Sequence, residues 1–106
     1  MFDFLKTKKN YESISGNAAR TLIIDNPTTV ILDVRTPAEF NQGAIKGAIN
    51  IDIMGGAFNE KIAKLDKNKT YLVYCRSGNR SGSACSAMGN LGFTKLFNLS
   101  GGIGNY

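Results

Sequence analysis

The chain has 106 residues, 13 Lys+Arg against 8 Asp+Glu, a net charge of +5, two cysteines and no histidine. That length holds one domain, and 42% hydrophobic with 20% charged residues excludes a disordered chain. The missing histidine excludes imidazole acid–base chemistry, His-based triads and Cys/His zinc sites, so any chemistry must rest on Cys, Asp, Glu, Lys, Arg, Tyr or backbone groups.

Residues 1–10, MFDFLKTKKN, read as a basic leader whose Phe2, Phe4 and Leu5 are too few for a signal peptide or a membrane span. From Tyr11 to Tyr106 strands and helices alternate. Tyr11 to Ile14 is a short strand; Ser15 caps a helix carrying Ala18, Ala19, Leu22 and Ile23, and Asn26-Pro27 ends it. Thr29 to Val34 is an apolar, β-branched run suited to a strand buried on both faces. Thr36-Pro37 opens a short helix through about Phe40, and Ala48 to Ile53 is another short strand. Phe58, Ile62 and Leu65 mark a third helix that ends before Lys67-Asn68-Lys69, whose two lysines read as solvated surface.

Thr70 to Tyr74 is the clearest strand and leads directly into Cys75. A fourth helix runs from about Arg80 to Leu91 with Ala84, Ala87, Met88 and Leu91 on one stripe, and Gly92 sits where a helix end takes positive φ. Lys95 to Leu99 is the last strand and Gly101-Gly102 a turn. This alternation predicts an α/β fold with a parallel sheet covered on both faces. In such sheets ligands collect where strands run out into helix N-termini, which directs attention to residues 70–91.

The charge supports the same half of the chain. Residues 1–66 hold eight basic and eight acidic residues, whereas residues 67–106 hold five basic ones (Lys67, Lys69, Arg76, Arg80 and Lys95) and no acid. The segment Cys75-Arg76-Ser77-Gly78-Asn79-Arg80-Ser81 joins the strand to the helix. A loop curling there points successive N–H groups at a common centre, and the helix dipole adds to their field. Gly78 supplies the backbone freedom, Asn79 tolerates left-handed geometry, and Arg76 and Arg80 add two charges. All of this favours a thiolate, so Cys75 is the candidate nucleophile, activated by electrostatics in place of a base. Cys-dependent phosphatases and arsenate reductases place five residues between Cys and Arg. Here only four separate Cys75 from Arg80, and the smaller ring suits one extra sulfur atom better than a phosphoryl group.

At these residues the sequence resembles the single-domain rhodaneses, thiosulfate or persulfide sulfurtransferases. The match runs from about Tyr11 to Tyr106 through Leu32-Asp33-Val34-Arg35-Thr36-Pro37-Ala38-Glu39-Phe40, Gly43 to Ile51, the Cys75–Ser81 loop, Leu91-Gly92-Phe93 and Gly101-Gly102-Ile103. The resemblance implies a rhodanese-like domain over 11–106, with a five-stranded parallel sheet flanked by helices on both faces. It implies that Cys75 carries sulfane sulfur as a persulfide, taken from a small anionic donor such as thiosulfate or from a persulfide. Cyanide or a thiol, free or on a carrier protein, would accept it. No metal or organic cofactor is implied. Two residues depart from the common pattern: Ala44 stands where family members often carry His, and Tyr106 where many have Trp. The alternatives are a redox-sensing or protein-docking module without catalysis, and a phosphatase or arsenate reductase on the same fold.

Other residues take supporting readings. Asp33 ends a strand near the edge expected for Cys75, and is expected to hold Arg35 or a loop amide. Arg35 and Glu39, four apart across a helix start, are expected to form a local ion pair. Cys85 falls on or beside the apolar stripe and reads as core, not as a partner thiol. The resemblance permits Met54, Gly55, Gly56 and Phe58 to line the pocket mouth. No basic face interleaved with aromatics supports nucleic-acid binding, and two cysteines make no disulfide framework, as in a cytoplasmic protein with reduced thiols.

Overall fold

The computed structural model describes residues 10–106, so the expected leader, apart from Asn10, lies outside the described residues. In chain order the elements are β1 (Glu12–Ile14), α1 (Gly16–Asp25), β2 (Val30–Asp33), α2 (Pro37–Asn41), β3 (Ile49–Asn50), α3 (Phe58–Ile62), β4 (Tyr71–Tyr74), α4 (Asn79–Asn90) and β5 (Leu96–Leu99). A 3₁₀ turn, Ile103–Asn105, follows. The strands form one five-stranded sheet in the order β1-β5-β4-β2-β3, and every pairing is parallel.

Local chemistry sets several of the boundaries. Ser15 Oγ accepts the Ala18 N–H at the start of α1. Thr36 and Glu39 form a reciprocal capping box at α2, with Pro37 in the first turn. At the end of α4 the Gly92 N–H bonds Gly89 O and the Phe93 N–H bonds Met88 O, a Schellman closure that turns on the positive φ of Gly92.

The central strand explains the layering. Every residue of β4 is buried, and alternate side chains enter opposite cores. Tyr71 and Val73 pack with Phe58, Ile62, Ala84, Cys85 and Met88 beneath α3 and α4. Leu72 and Tyr74 pack with Ala19, Ile31 and Leu99 beneath α1. Cys75 continues the face of Tyr71 and Val73, which sets its side chain under α4.

Three expectations shift. The strand expected over 48–53 shortens to Ile49–Asn50, although Ile51 and Ile53 still bond Asp33 O and Val34 O. The third helix stops at Ile62, and Leu65 packs against the core from the turn that follows. Leu91 is not on the buried stripe of α4, being 40% exposed. The helix unwinds at that residue, and Phe93 folds back instead, edge-on to Tyr71 with ring centroids 5.3 Å apart.

Candidate active site

Cys75 immediately follows the central strand, and its sulfur is buried at the floor of the 75–81 loop. Gly78 N–H donates to Sγ at 3.1 Å and Ser81 N–H at 3.4 Å. The Ser81 hydroxyl lies 3.3 Å from the same sulfur. Burial pushes this thiol up, and the Ser81 hydroxyl with the amides of Ser81, Gly78 and Ser77 more than offsets it, so the group titrates below an ordinary cysteine. Cys85 on α4 has burial and nothing to oppose it; its thiol is pushed up to about 12. One cysteine is poised to ionise and the other is core.

The curl turns at one residue. Gly78 has φ 103° and is followed directly by the first residue of α4. Asn79 is that helical residue, so it does not share the left-handed geometry expected of it. The loop also has a floor from the far end of the chain. Ile103 N–H donates to Cys75 O at 3.0 Å. Gly102 takes φ 79°, and a Cβ there would overlap the carbonyl of Arg76. The double glycine thus lets the chain after β5 pass directly beneath the loop.

The two loop arginines are not equivalent. Arg80 Nη1 donates to Glu39 Oε1 at 2.8 Å and Nη2 to Oε2 at 3.0 Å, a fork-to-fork pair that ties α4 to α2. Glu39 also accepts from Thr36 N and Oγ, and Arg80 leads in holding its carboxyl down at about 2. The expected Arg35–Glu39 pair is therefore absent. Arg35 binds Asp33 instead, with Nη2 to Oδ2 at 2.7 Å, and donates to Gly43 O at 2.7 Å. Across the sheet Glu39 meets a partner in fixed geometry, whereas Arg35 is drawn back into the protein by a buried carboxylate. Arg76 is exposed on the loop crest with Ser77 and Asn79.

Asp33 sits opposite Tyr74 in register, which puts its carboxylate on the face away from Cys75. Its oxygens accept the Arg35 N–H at 2.9 Å and the Arg35 guanidinium. Asp33 and Arg35 therefore brace the 43–47 turn, where Tyr74 Oη also accepts the Ile45 N–H at 3.0 Å, and Ala44 is exposed. Tyr106 packs on the α1 side with Arg20 stacked 4.0 Å over its ring. Gly56 and Phe58 line an open pocket of about 280 Å³ with Ile53, Asn59 and Ala87, a pocket that includes no residue of the 75–81 loop; Met54 and Gly55 are not in its lining, and Met54 is exposed. Among the described residues no group of three or more His, Cys, Asp or Glu could hold a metal ion, and no helix is long and apolar enough to cross a membrane.

Two site residues escape a reading of the sequence. Glu39 looks like a local partner of Arg35. Asn98, on β5, takes the Ser81 hydroxyl proton on its Oδ1 and is buried. An Asn inside the apolar run Leu96-Phe97-Asn98-Leu99 is the signal that could have found it, because such a residue needs a buried partner.

Known proteins share this architecture. The family model for the rhodanese-like domain matches residues 17–106. A sulfurtransferase from Allochromatium vinosum is 33% identical over 90 residues, covering 85% of this chain and 82% of that one. A tRNA uridine(34) hydroxylase from Pelagibacter ubique is 34% identical over 85 residues, but these make up only 28% of its length. Among solved structures, a rhodanese-related protein from Thermoplasma volcanium superposes with a TM-score of 0.73 at 36% identity, over 88% of this chain and 87% of that one. With the family model spanning most of the chain and a sulfurtransferase aligned along most of its length, this protein belongs to the rhodanese-like domain family.

Proposed function

We propose that the protein is a sulfurtransferase in which Cys75 carries sulfane sulfur between a donor and a thiol or cyanide acceptor. The observation that carries this reading is the sulfur of Cys75 at the end of the central strand, receiving the N–H groups of Gly78 and Ser81. Those donors favour the thiolate, the form that attacks sulfur. In the first step the thiolate attacks the sulfane sulfur of thiosulfate or of a persulfide. A Cys75 S–S bond forms, and the donor S–S bond breaks with its electron pair leaving on sulfite or on a thiolate. In the second step the acceptor attacks the outer sulfur, and the pair returns to Cys75. The cycle needs no metal, no organic cofactor and no outside oxidant. Two free cysteines suit a reducing, cytoplasmic setting, and the exposed Arg76 suits recruitment of an anionic donor.

Intact mass spectrometry tests this. Reduced protein incubated with thiosulfate or a low-molecular-weight persulfide is expected to gain one sulfur atom that cyanide removes, and Cys75→Ser to gain none. An unchanged mass with both donors, or turnover of an aryl phosphate in their place, would refute it.

A further inference from the structure

The sulfur of Cys75 is linked through Ser81 to a side chain on a different strand. Cys75 and Ser81 are fully buried and Asn98 is 6% exposed. The Ser81 hydroxyl lies within hydrogen-bond reach of both Cys75 Sγ and Asn98 Oδ1. The direction of the chain of bonds follows from its far end. Asn98 Nδ2 faces Gly78 O at 3.4 Å and Ser13 Oγ at 3.2 Å. A carbonyl can only accept, so the Asn98 atom facing Gly78 must be its NH₂, and the atom facing Ser81 must be its oxygen. That oxygen needs the one proton the Ser81 hydroxyl has. With the proton engaged there, Ser81 offers the thiol a lone pair, and the bonds run from Cys75 S–H to Ser81 O–H to Asn98 Oδ1.

We propose that Asn98 is a positioning residue for Cys75, competing with the sulfur for the single proton of Ser81 and so making that hydroxyl a two-position rotor. In the thiol form the Ser81 proton points to Asn98. When Cys75 gives its own proton to solvent, the sulfur keeps the Gly78 and Ser81 amides and draws the Ser81 proton away from Asn98. In the persulfide the charge moves to the outer sulfur, and the rotor turns back. Asn98 thus opposes the free thiolate and assists the loaded state. This rests on the reading of Cys75 as the sulfur carrier; the rotor itself needs only the ionisation of Cys75.

The remaining charged groups around the sulfur are paired or exposed, and the Tyr11 hydroxyl lies against Gly82 of α4. Arg80 on α4 senses Cys75 but is held by Glu39 of α2, with Asp52 near it. Asp33 and Arg35, beside the end of β2, are paired with each other, and Cys85 on α4 is buried among apolar groups. Arg76 lies on the exposed crest. None of these charges is bonded to Asn98, but its NH₂ also holds Gly78 O, so the Ser81→Ala background is what separates the rotor from that contact.

The rate of Cys75 alkylation by iodoacetamide, followed against pH, reads the effect. Ser81→Ala is expected to raise the midpoint by about one pH unit, since the thiolate loses a donor. Asn98→Leu is expected to lower it by about half a unit or more, since the donor is released. Asn98→Leu placed on Ser81→Ala is expected to add nothing. An unchanged or raised midpoint in Asn98→Leu, or an equal shift with and without Ser81, would overturn the proposal. Should Asn98→Leu fail to fold, the wild type decides. The Asn98 Cγ resonance is expected to titrate with the Cys75 Cβ resonance and to be flat in Ser81→Ala; a flat Asn98 signal in the wild type overturns the rotor. Absence of sulfur uptake with these titrations intact would count against the sulfurtransferase reading alone.

Discussion

Arg76 and Arg80 stand four residues apart in one loop, yet only one of them has its charge free. Glu39 neutralises Arg80 through two hydrogen bonds, and among the described residues Arg76 makes no ion pair. A symmetrical contribution to anion recruitment, natural from the sequence, therefore gives way to a division of labour. Arg76→Ala is expected to lower kcat/KM for thiosulfate about three- to tenfold, the effect of one partly solvated charge, with little effect on an uncharged sulfane donor such as an organic trisulfide. Arg80→Ala is expected to lower both donors together, because it releases the tie from α2 to the loop. Steady-state kinetics with the two donors checks this, and equal donor dependence of the two variants would contradict it.

The elements around the site are held by a few contacts of this kind. The α2 helix is one and a half turns long, buries no residue fully, and gains its place from the capping box and the Glu39–Arg80 pair. That pair has a pH signature. Because the folded Glu39 titrates near 2, below its ordinary value of 4.5, its contribution is complete above about pH 4.5 and is lost as pH falls toward 2. Relative to the wild type, Glu39→Gln is expected to lose on the order of 1 kcal/mol at pH 7. Urea unfolding at a series of pH values is expected to show that gap closing on acidification; a gap independent of pH would mean that the Glu39 charge is not its source. The double glycine plays a matching part on the other side of the loop, where Gly102 leaves room for the Arg76 carbonyl.

At the scale of the molecule, the Asp33–Arg35 pair joins the sheet to the 43–47 turn while Cys75 faces the opposite core. Asp33→Ala leaves a buried guanidinium without its counter-charge and is expected to cost about 3 kcal/mol of unfolding free energy. Circular dichroism in urea measures this, and a loss below about 1 kcal/mol would mean that the turn holds without the pair. The charge excess also resolves at this scale. Lys67 lies over Phe93 and Lys95 donates to Asn68 O, both at the end of the sheet where β4 and β5 begin. Arg76 and Arg80 lie at the end where β4 finishes. Tyr71 to Tyr74, the capped starts at Ser15 and Thr36, and Gly78 were legible in the sequence because period, caps and turn residues are local properties of the chain. The same locality made Cys75 stand out, with a glycine and two arginines within five residues. Spacing misled at Arg35 and Glu39, where a four-residue separation suggested a pair, but the buried Asp33 takes Arg35 and Arg80 of the distant helix α4 takes Glu39. Asn98 and Gly102 reach the loop from 23 and 27 residues beyond Cys75, and no local pattern records such contacts. The sequence by itself determined the order of elements and the nucleophile. Only the tertiary structure decided which charges cancel and which hydroxyl proton meets the sulfur, because parallel pairing sets β2, β4 and β5 side by side from distant parts of the chain.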